Sequence, residues 1–110
     1  MLKRMVLVRF EDQATEDDIN EFKLAIRNMA ESLSMVKYVV LHDVVDLAET
    51  DQFKAGAPVA EFADFCAEWF FDDVNQLRAF LDDPLHFDLA KSVFSKVVAR
   101  RFVVNCEMAM

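Results

Sequence analysis

His86 is the residue of this chain best placed to do chemistry. It follows Asp83-Pro84-Leu85. Asp83 reads as a helix cap, Pro84 suits the first helical position, and His86 then falls in the first turn. An imidazole titrates near neutral pH and an apolar surround tunes it, so His86 is a candidate general base. The structural alternative is a ring hydrogen-bonded to the Asp82–Asp83 cap or to a strand. No nucleophile beside it follows from the sequence.

The remaining candidates are weaker. Asp64 and Glu68 share one face of a strand, four residues and so about 13 Å apart. That is too far for a pair of glycosidase carboxylates. Both are expected to pair with Arg4, Arg9, Arg100 or Arg101 on neighbouring strands. With His42 they could frame a metal site. Yet the sequence has no HxxxH, HxH or CxxC spacing, so no metal is expected and His42 reads as a strand-edge or interface residue. Cys66 has no Cys–His spacing to activate it, and a buried strand thiol is inert. A chain with one glycine cannot carry a phosphate loop or a dinucleotide fingerprint, and no cofactor is expected.

These residues need positioning elements. Residues 2–10 are apolar on both faces and read as a strand covered on both sides. Thr15 caps a helix whose stripe is Ile19, Phe22, Ile26, Met29 and Leu33, with Asp18 replacing the usual Glu or Gln of a capping box. Residues 37–45 read as a second strand. Residues 46–61 hold the only glycine, Gly56, with Pro58, and read as a long loop. Residues 62–71 read as a third strand: Ala63, Phe65, Ala67, Trp69 and Phe71 make its core face, while Asp64, Cys66 and Glu68 lie opposite. A second helix spans about 73–81. A further helical segment starts at Pro84 and continues through Phe87, Ala90, Phe94 and Val97. Residues 100–107 make the last strand.

The order βαββαβ predicts an α+β, ferredoxin-like fold: a four-stranded antiparallel sheet with both helices on one face. Strands one, two and four read as apolar on both sides, so the bare face needs a cover. A second copy of the sheet is the simplest one, giving a homodimer that closes into an α/β barrel.

Composition limits the partners. The 110 residues suit one domain spanning 1–110. The net charge of -8, from 20 acidic and 12 basic residues, argues against nucleic acid. No basic run exceeds Arg100-Arg101, and no apolar run reaches membrane-spanning length, so no membrane partner is expected. Arg9, Glu11 and Asp12 interrupt the N-terminal apolar run, which reads as a strand rather than a signal sequence. With two unpaired-looking cysteines, this points to the cytoplasm. Eleven phenylalanines exceed what so small a core needs, which predicts an interface or a ligand cavity.

The start Leu2-Lys3-Arg4-Met5-Val6-Leu7-Val8-Arg9-Phe10, the strand around Asp64, Phe71-Asp72 and above all Phe80-Leu81-Asp82-Asp83-Pro84-Leu85-His86 resemble the stress-responsive A/B barrel (Dabb) family of the dimeric α/β barrel superfamily. The last of these resembles the family's aromatic-x-x-His-Pro-x-His helix junction. The resemblance implies two βαββαβ subunits packed sheet to sheet. Most members have no assigned activity, some bind small hydrophobic ligands, and a plant member is a polyketide cyclase. The cyclase's junction histidine falls on His86. Its tyrosine falls on Phe80, its third-strand histidine on Phe65, the first-strand histidine on Arg4 and the junction's first histidine on Asp83. The last strand ends Asn105-Cys106-Glu107 where the family often has Asp-Tyr.

Two readings follow. The first is a dimeric barrel without catalytic machinery that holds a small apolar or aromatic molecule, in a pocket drawn from Phe22, Ile26, Phe65, Ala67, Phe80 and Phe94, or serves a structural stress-response role. The second is a small lyase or cyclase with His86 as base. Spacing alone does not separate an open pocket from a core filled by the phenyl rings.

Overall fold

Four strands and the helices between them carry the site. The computed structural model describes residues 1–45 and 62–109. The loop expected over 46–61 therefore lies outside the described residues. Strand β1 (Leu2–Phe10) leads to helix α1 (Glu16–Ser32), strand β2 (Tyr38–Asp43) and strand β3 (Phe65–Phe71). Helix α2 (Val74–Asp82) and helix α3 (Pro84–Leu89) follow. The chain then makes a π-helical turn over Ala90–Phe94, the short helix α4 (Ser95–Val97) and strand β4 (Val98–Glu107).

Local chemistry sets the helix starts. Thr15 Oγ1 accepts from the Asp18 N–H at 3.1 Å while the Asp18 carboxylate accepts from the Thr15 N–H at 3.3 Å. Aspartate thus completes a reciprocal capping box that normally uses a longer acid. Asp73 caps α2 through the Gln76 N–H, 3.0 Å away. Asp83 caps α3 through the Leu85 N–H at 2.9 Å, with Pro84 at the first helical position where no N–H is needed.

The strand order is β2-β3-β1-β4 with every neighbouring pair antiparallel, the ferredoxin-like arrangement. Directly paired residues share a face. Arg4 pairs Trp69 and Asn105; Val6 pairs Ala67 and Val103; Val8 pairs Phe65 and Arg101. These residues look toward the helices. Lys3, Met5 and Leu7 look the other way, with Phe70, Glu68 and Cys66 beside them on β3.

The structure corrects three boundaries. Strand β3 begins at Phe65, because Asp64 ties strand ends together instead. Its N–H donates to Val8 O, its carbonyl accepts from Val44 N–H, and its carboxylate accepts from Phe10 N–H at 3.0 Å. Strand β4 begins two residues early, at Val98, because a bulge opposite Arg9–Phe10 inserts Ala99 into the ladder. The last helical segment is interrupted: the Ser95 N–H reaches back five residues to Ala90 O, which makes the turn π rather than α. A fourth correction concerns β4, whose helix-side residues are Arg101, Val103, Asn105 and Glu107. That face is largely polar, not apolar as expected.

Phe22, Ile26 and Met29 of α1 and Leu33 at its C-cap are buried against Val8, Phe65, Ala67, Trp69 and Phe71 of the sheet; Ile19, the first residue of the expected stripe, is only half-buried. Phe71 and Phe80 add a second ring pair under α2, centroids 5.4 Å apart. The opposite sheet face exposes Tyr38, Val40, Phe102 and Val104. Among the described residues no helix is long and apolar enough to cross a membrane. Phe71 is fully buried. Phe71→Ala should therefore lower stability by about 3–5 kcal/mol, read as the shift in urea midpoint at fixed protein concentration.

Candidate functional site

A cavity of about 400 Å³ lies between the helix-side face of the sheet and the helices above it. That volume falls within the range of small-molecule sites. Phe22 and Ile26 of α1, Phe65 and Ala67 of β3, Phe80 of α2 and Phe94 of the π turn all line it, as does His86 of α3. Five elements thus bring the seven residues singled out in the sequence to one space.

The space exists because of how large and small side chains are distributed. The rings pack on one another: Phe22 lies edge-on to Phe65 at 5.5 Å and to Phe94 at 5.1 Å, and Phe10 lies 5.7 Å from Phe22. Val6, Val8 and Ala67 on the sheet and Ala90 on the π turn are too short to fill what lies between. Ala90 and Phe94 both line the cavity from the π turn, whose wider winding differs from an α-helix's.

The polar residues of the lining are Arg4, His86, Ser95, Arg100 and Arg101. His86 packs its ring 4.8 Å from Phe80 and 6.0 Å from Phe87. Its Nδ1 is buried and has no hydrogen-bond partner among the described residues. The side chain is therefore not part of the helix cap, which Asp83 makes with Leu85 N–H. Burial pushes the His86 imidazole below its usual value; the charges of Arg4 and then Arg101 push it further, against an opposing pull from Asp83. The ring is held neutral. Arg4 lines the same cavity and donates to Asn105 Oδ1 at 3.1 Å, a neutral partner. Burial, then the charge of Arg101, lowers the Arg4 value from the ordinary guanidinium range. Arg4 and Arg101 were not placed in the pocket from the sequence. Strand parity carried the signal for Arg4, which shares a face with Val6, Val8 and Phe10.

The sequence matches the Stress responsive A/B Barrel Domain family over residues 2–108. The chain belongs to that family. No curated protein sequence matches it significantly. Solved structures agree on the fold. A protein of Arabidopsis thaliana is 15% identical, with 100% of this chain and 97% of that chain covered and a TM-score of 0.81. The hydroxynitrile lyase of Passiflora edulis is 18% identical, covering 98% and 93%, with a TM-score of 0.81. A dimeric ferredoxin-like protein of unknown function from Thermobifida fusca is 20% identical, covering 97% and 90%, with a TM-score of 0.72.

Within this A/B barrel domain the other candidate residues fall outside the cavity. Asp64 lies 3.5 Å from Arg9, as one of its expected pairings. Glu68 takes Lys3 at 3.2 Å rather than an arginine, and accepts from His42 Nε2–H at 2.6 Å. Arg4 faces the opposite side of the sheet, which is why it cannot be that partner. Burial alone would raise the Glu68 carboxyl, but the hydrogen bonds and charges of Lys3 and His42 outweigh it and hold it below its usual value. Among the described residues no three His, Cys, Asp or Glu side chains gather as a metal-binding group. The Cys66 thiol is buried, and burial followed by the nearby Glu68 charge pushes it up, against Lys3. It stays a thiol, so it is a poor nucleophile.

The depressed His86 value has a consequence for folding. Above pH about 6.5, the usual imidazole value, both folded and unfolded chains carry it neutral and it contributes nothing. Below that, the unfolded chain binds a proton that the folded chain resists, so stability falls as pH drops. Between pH 7.5 and 5.5, His86→Leu should lose less melting temperature than the natural protein, measured by circular dichroism. An equal loss would show that His86 is solvated.

Proposed function

We propose that this A/B barrel protein binds a small apolar or aromatic molecule in the cavity above Ala67, and that it works as a homodimer closed through its open sheet face. The cavity itself carries the reading. It is walled by five phenylalanine and isoleucine side chains with Trp69 and Ala67, and a neutral histidine supplies a single imidazole. A few polar groups in an apolar wall are the usual composition of a small-molecule site. Among the described residues the His86 ring packs on Phe80 and Phe87, and the nearby Asp83 carboxylate is committed to the Leu85 N–H as a helix cap. That supports holding a ligand over transforming one. Buried Cys66 and half-buried Cys106, both unpaired, fit a reducing compartment such as the cytoplasm.

The dimer rests on the other face. Tyr38 stacks on Phe70 at 4.4 Å, and Tyr38, Val40, Phe102 and Val104 are exposed beside it. An apolar patch of this kind across a whole sheet marks an interaction surface. A second copy brings an identical sheet, so the contact closes on itself.

Trp69 is the chain's single tryptophan and lines the cavity, so its emission reports occupancy. Indole-free probes such as naphthalene, octanoate and 4-phenylbutyrate should change that emission and raise the melting temperature. Ala67→Leu, which fills the space, should abolish both effects in a folded protein. If no probe changes either signal, the binding reading is wrong. Light scattering behind size exclusion should give twice the chain's 12.7 kDa at micromolar concentration. A mass of one chain would overturn the dimer.

A further inference from the structure

The charged residues of the cavity's lining are cationic in a chain whose net charge is -8. Arg4, Arg100 and Arg101 line it, and among the described residues no carboxylate lies within ion-pair distance of any of them. Of the bases elsewhere, Lys3 pairs with Glu68, Arg9 with Asp64, Lys23 with Asp43 and Lys37 with Asp72, while Arg27, Arg78, Lys91 and Lys96 have no carboxylate within ion-pair distance among the described residues. These last four are exposed, whereas Arg4 of the cavity is half-buried, where the lack of a carboxylate matters more.

Arg4 and Arg101 lie on the helix-side face of neighbouring strands, Arg4 opposite Asn105 and Arg101 opposite Val8. Their charges repel, and among the described residues the half-buried Arg4 side chain donates only to the neutral Asn105 amide. Buried cations are ordinarily compensated by an anion. Asp83, the acid that bears on His86, already accepts from Leu85 N–H as a helix cap. His86 adds a buried Nδ1 with no partner among the described residues. The guanidiniums of Arg4, Arg100 and Arg101 and one open imidazole nitrogen thus border a cavity otherwise lined by Ser95 and apolar side chains.

We infer that the cavity selects small organic acids: the apolar body lies among Phe22, Phe65 and Phe94, and the carboxylate is held by Arg4 and Arg101 with His86 Nδ1 beside it. A planar guanidinium matches a carboxylate through two parallel hydrogen bonds, and charge-assisted bonds of this kind are the strong ones. A carboxylate also relieves the repulsion between the two arginines, which a neutral ligand does not. This inference rests on the cavity-binding reading above and adds the chemical class of ligand to it.

The test compares each acid with its own uncharged amide. Octanoate and octanamide, and 4-phenylbutyrate and 4-phenylbutyramide, are titrated against the full chain with Trp69 emission and calorimetry as readouts. The acids should bind about tenfold or more tightly than their amides, the worth of one charge-assisted hydrogen bond. In Arg4→Gln and in Arg101→Gln the acid-to-amide ratio should fall toward one, while Arg78→Gln, on α2, should keep it. Acids and amides binding equally well to the natural protein would overturn the carboxylate inference and leave the cavity reading standing. Neither acids nor amides binding would overturn both. An acid preference that survives both arginine substitutions would overturn the assignment of these residues. Arg101 is exposed, so its substitution keeps the test informative should Arg4→Gln fail to fold.

Discussion

The edge-to-face contact between Phe22 and Phe65 organises the helix side of this protein. Its rings lie 5.5 Å apart at 71°. Phe22 sits in α1 and Phe65 begins β3, so the contact fixes the long helix across the sheet. Phe10 joins both rings from the end of β1, and Phe94 joins Phe22 from the π turn. Four elements are thereby clamped at one end of the sheet. Such ring pairs contribute about 0.5–1.5 kcal/mol each beyond the area they bury. Their more important effect is spatial. Rings that satisfy one another at one end do not spread into the middle, where Val6, Ala67 and Ala90 leave room.

How much of this was legible in the sequence depended on the range of the interaction. The helix starts at Thr15 and Asp83 were legible because caps are local: a short polar side chain sits two or three residues from the N–H it must serve. The helix-side face of β3 was legible from its period of two, and the stripe of α1 from its 3-4 spacing. The π turn was not, because a 3-4-3 spacing through Phe87, Ala90, Phe94 and Val97 reads as a continuous α-helix whether or not one hydrogen bond skips a residue. The Ala99 bulge was missed because it belongs to a register between strands about ninety residues apart. The β1–β3 register, also between strands distant in sequence, gave Glu68 to Lys3 instead of an arginine. The six apolar lining residues and His86 were named from the sequence, but whether their rings fill the space between them is a property of volume, which spacing does not encode. Arg4 and Arg101 escaped notice for a related reason: they were considered as partners for carboxylates, and strand parity puts them on the other side.

The sheet separates two kinds of electrostatics. On the open face charges come in sets that cancel. Lys3 and His42 converge on Glu68 amid Tyr38, Val40, Phe70 and Leu7, leaving little net field on an apolar surface. On the helix side the arginines of β1 and β4 keep their charge, and a neutral imidazole stands beside them. One sheet of 4.8 Å-spaced strands, as sheets generally have, thus insulates a surface suited to packing from a cavity suited to polar discrimination. The alternation of side chains along β1, Lys3 to one side and Arg4 to the other, is enough to do it.

The π turn and the bulge at Ala99 share a property: each holds one residue more than the regular element would use over the same distance. They stand on either side of α4 and both border the cavity. Removing one residue from a helix turns everything beyond it by about 100°, and removing one from a strand flips everything beyond it to the other face. Chain length is therefore itself a determinant of the cavity's shape, separate from the identity of any side chain in its wall. A single-residue deletion in this short stretch would re-aim Phe94 or Arg101 while leaving the Phe22–Phe65 clamp untouched. A fold built this way can change what its cavity fits by counting residues, without repacking its core.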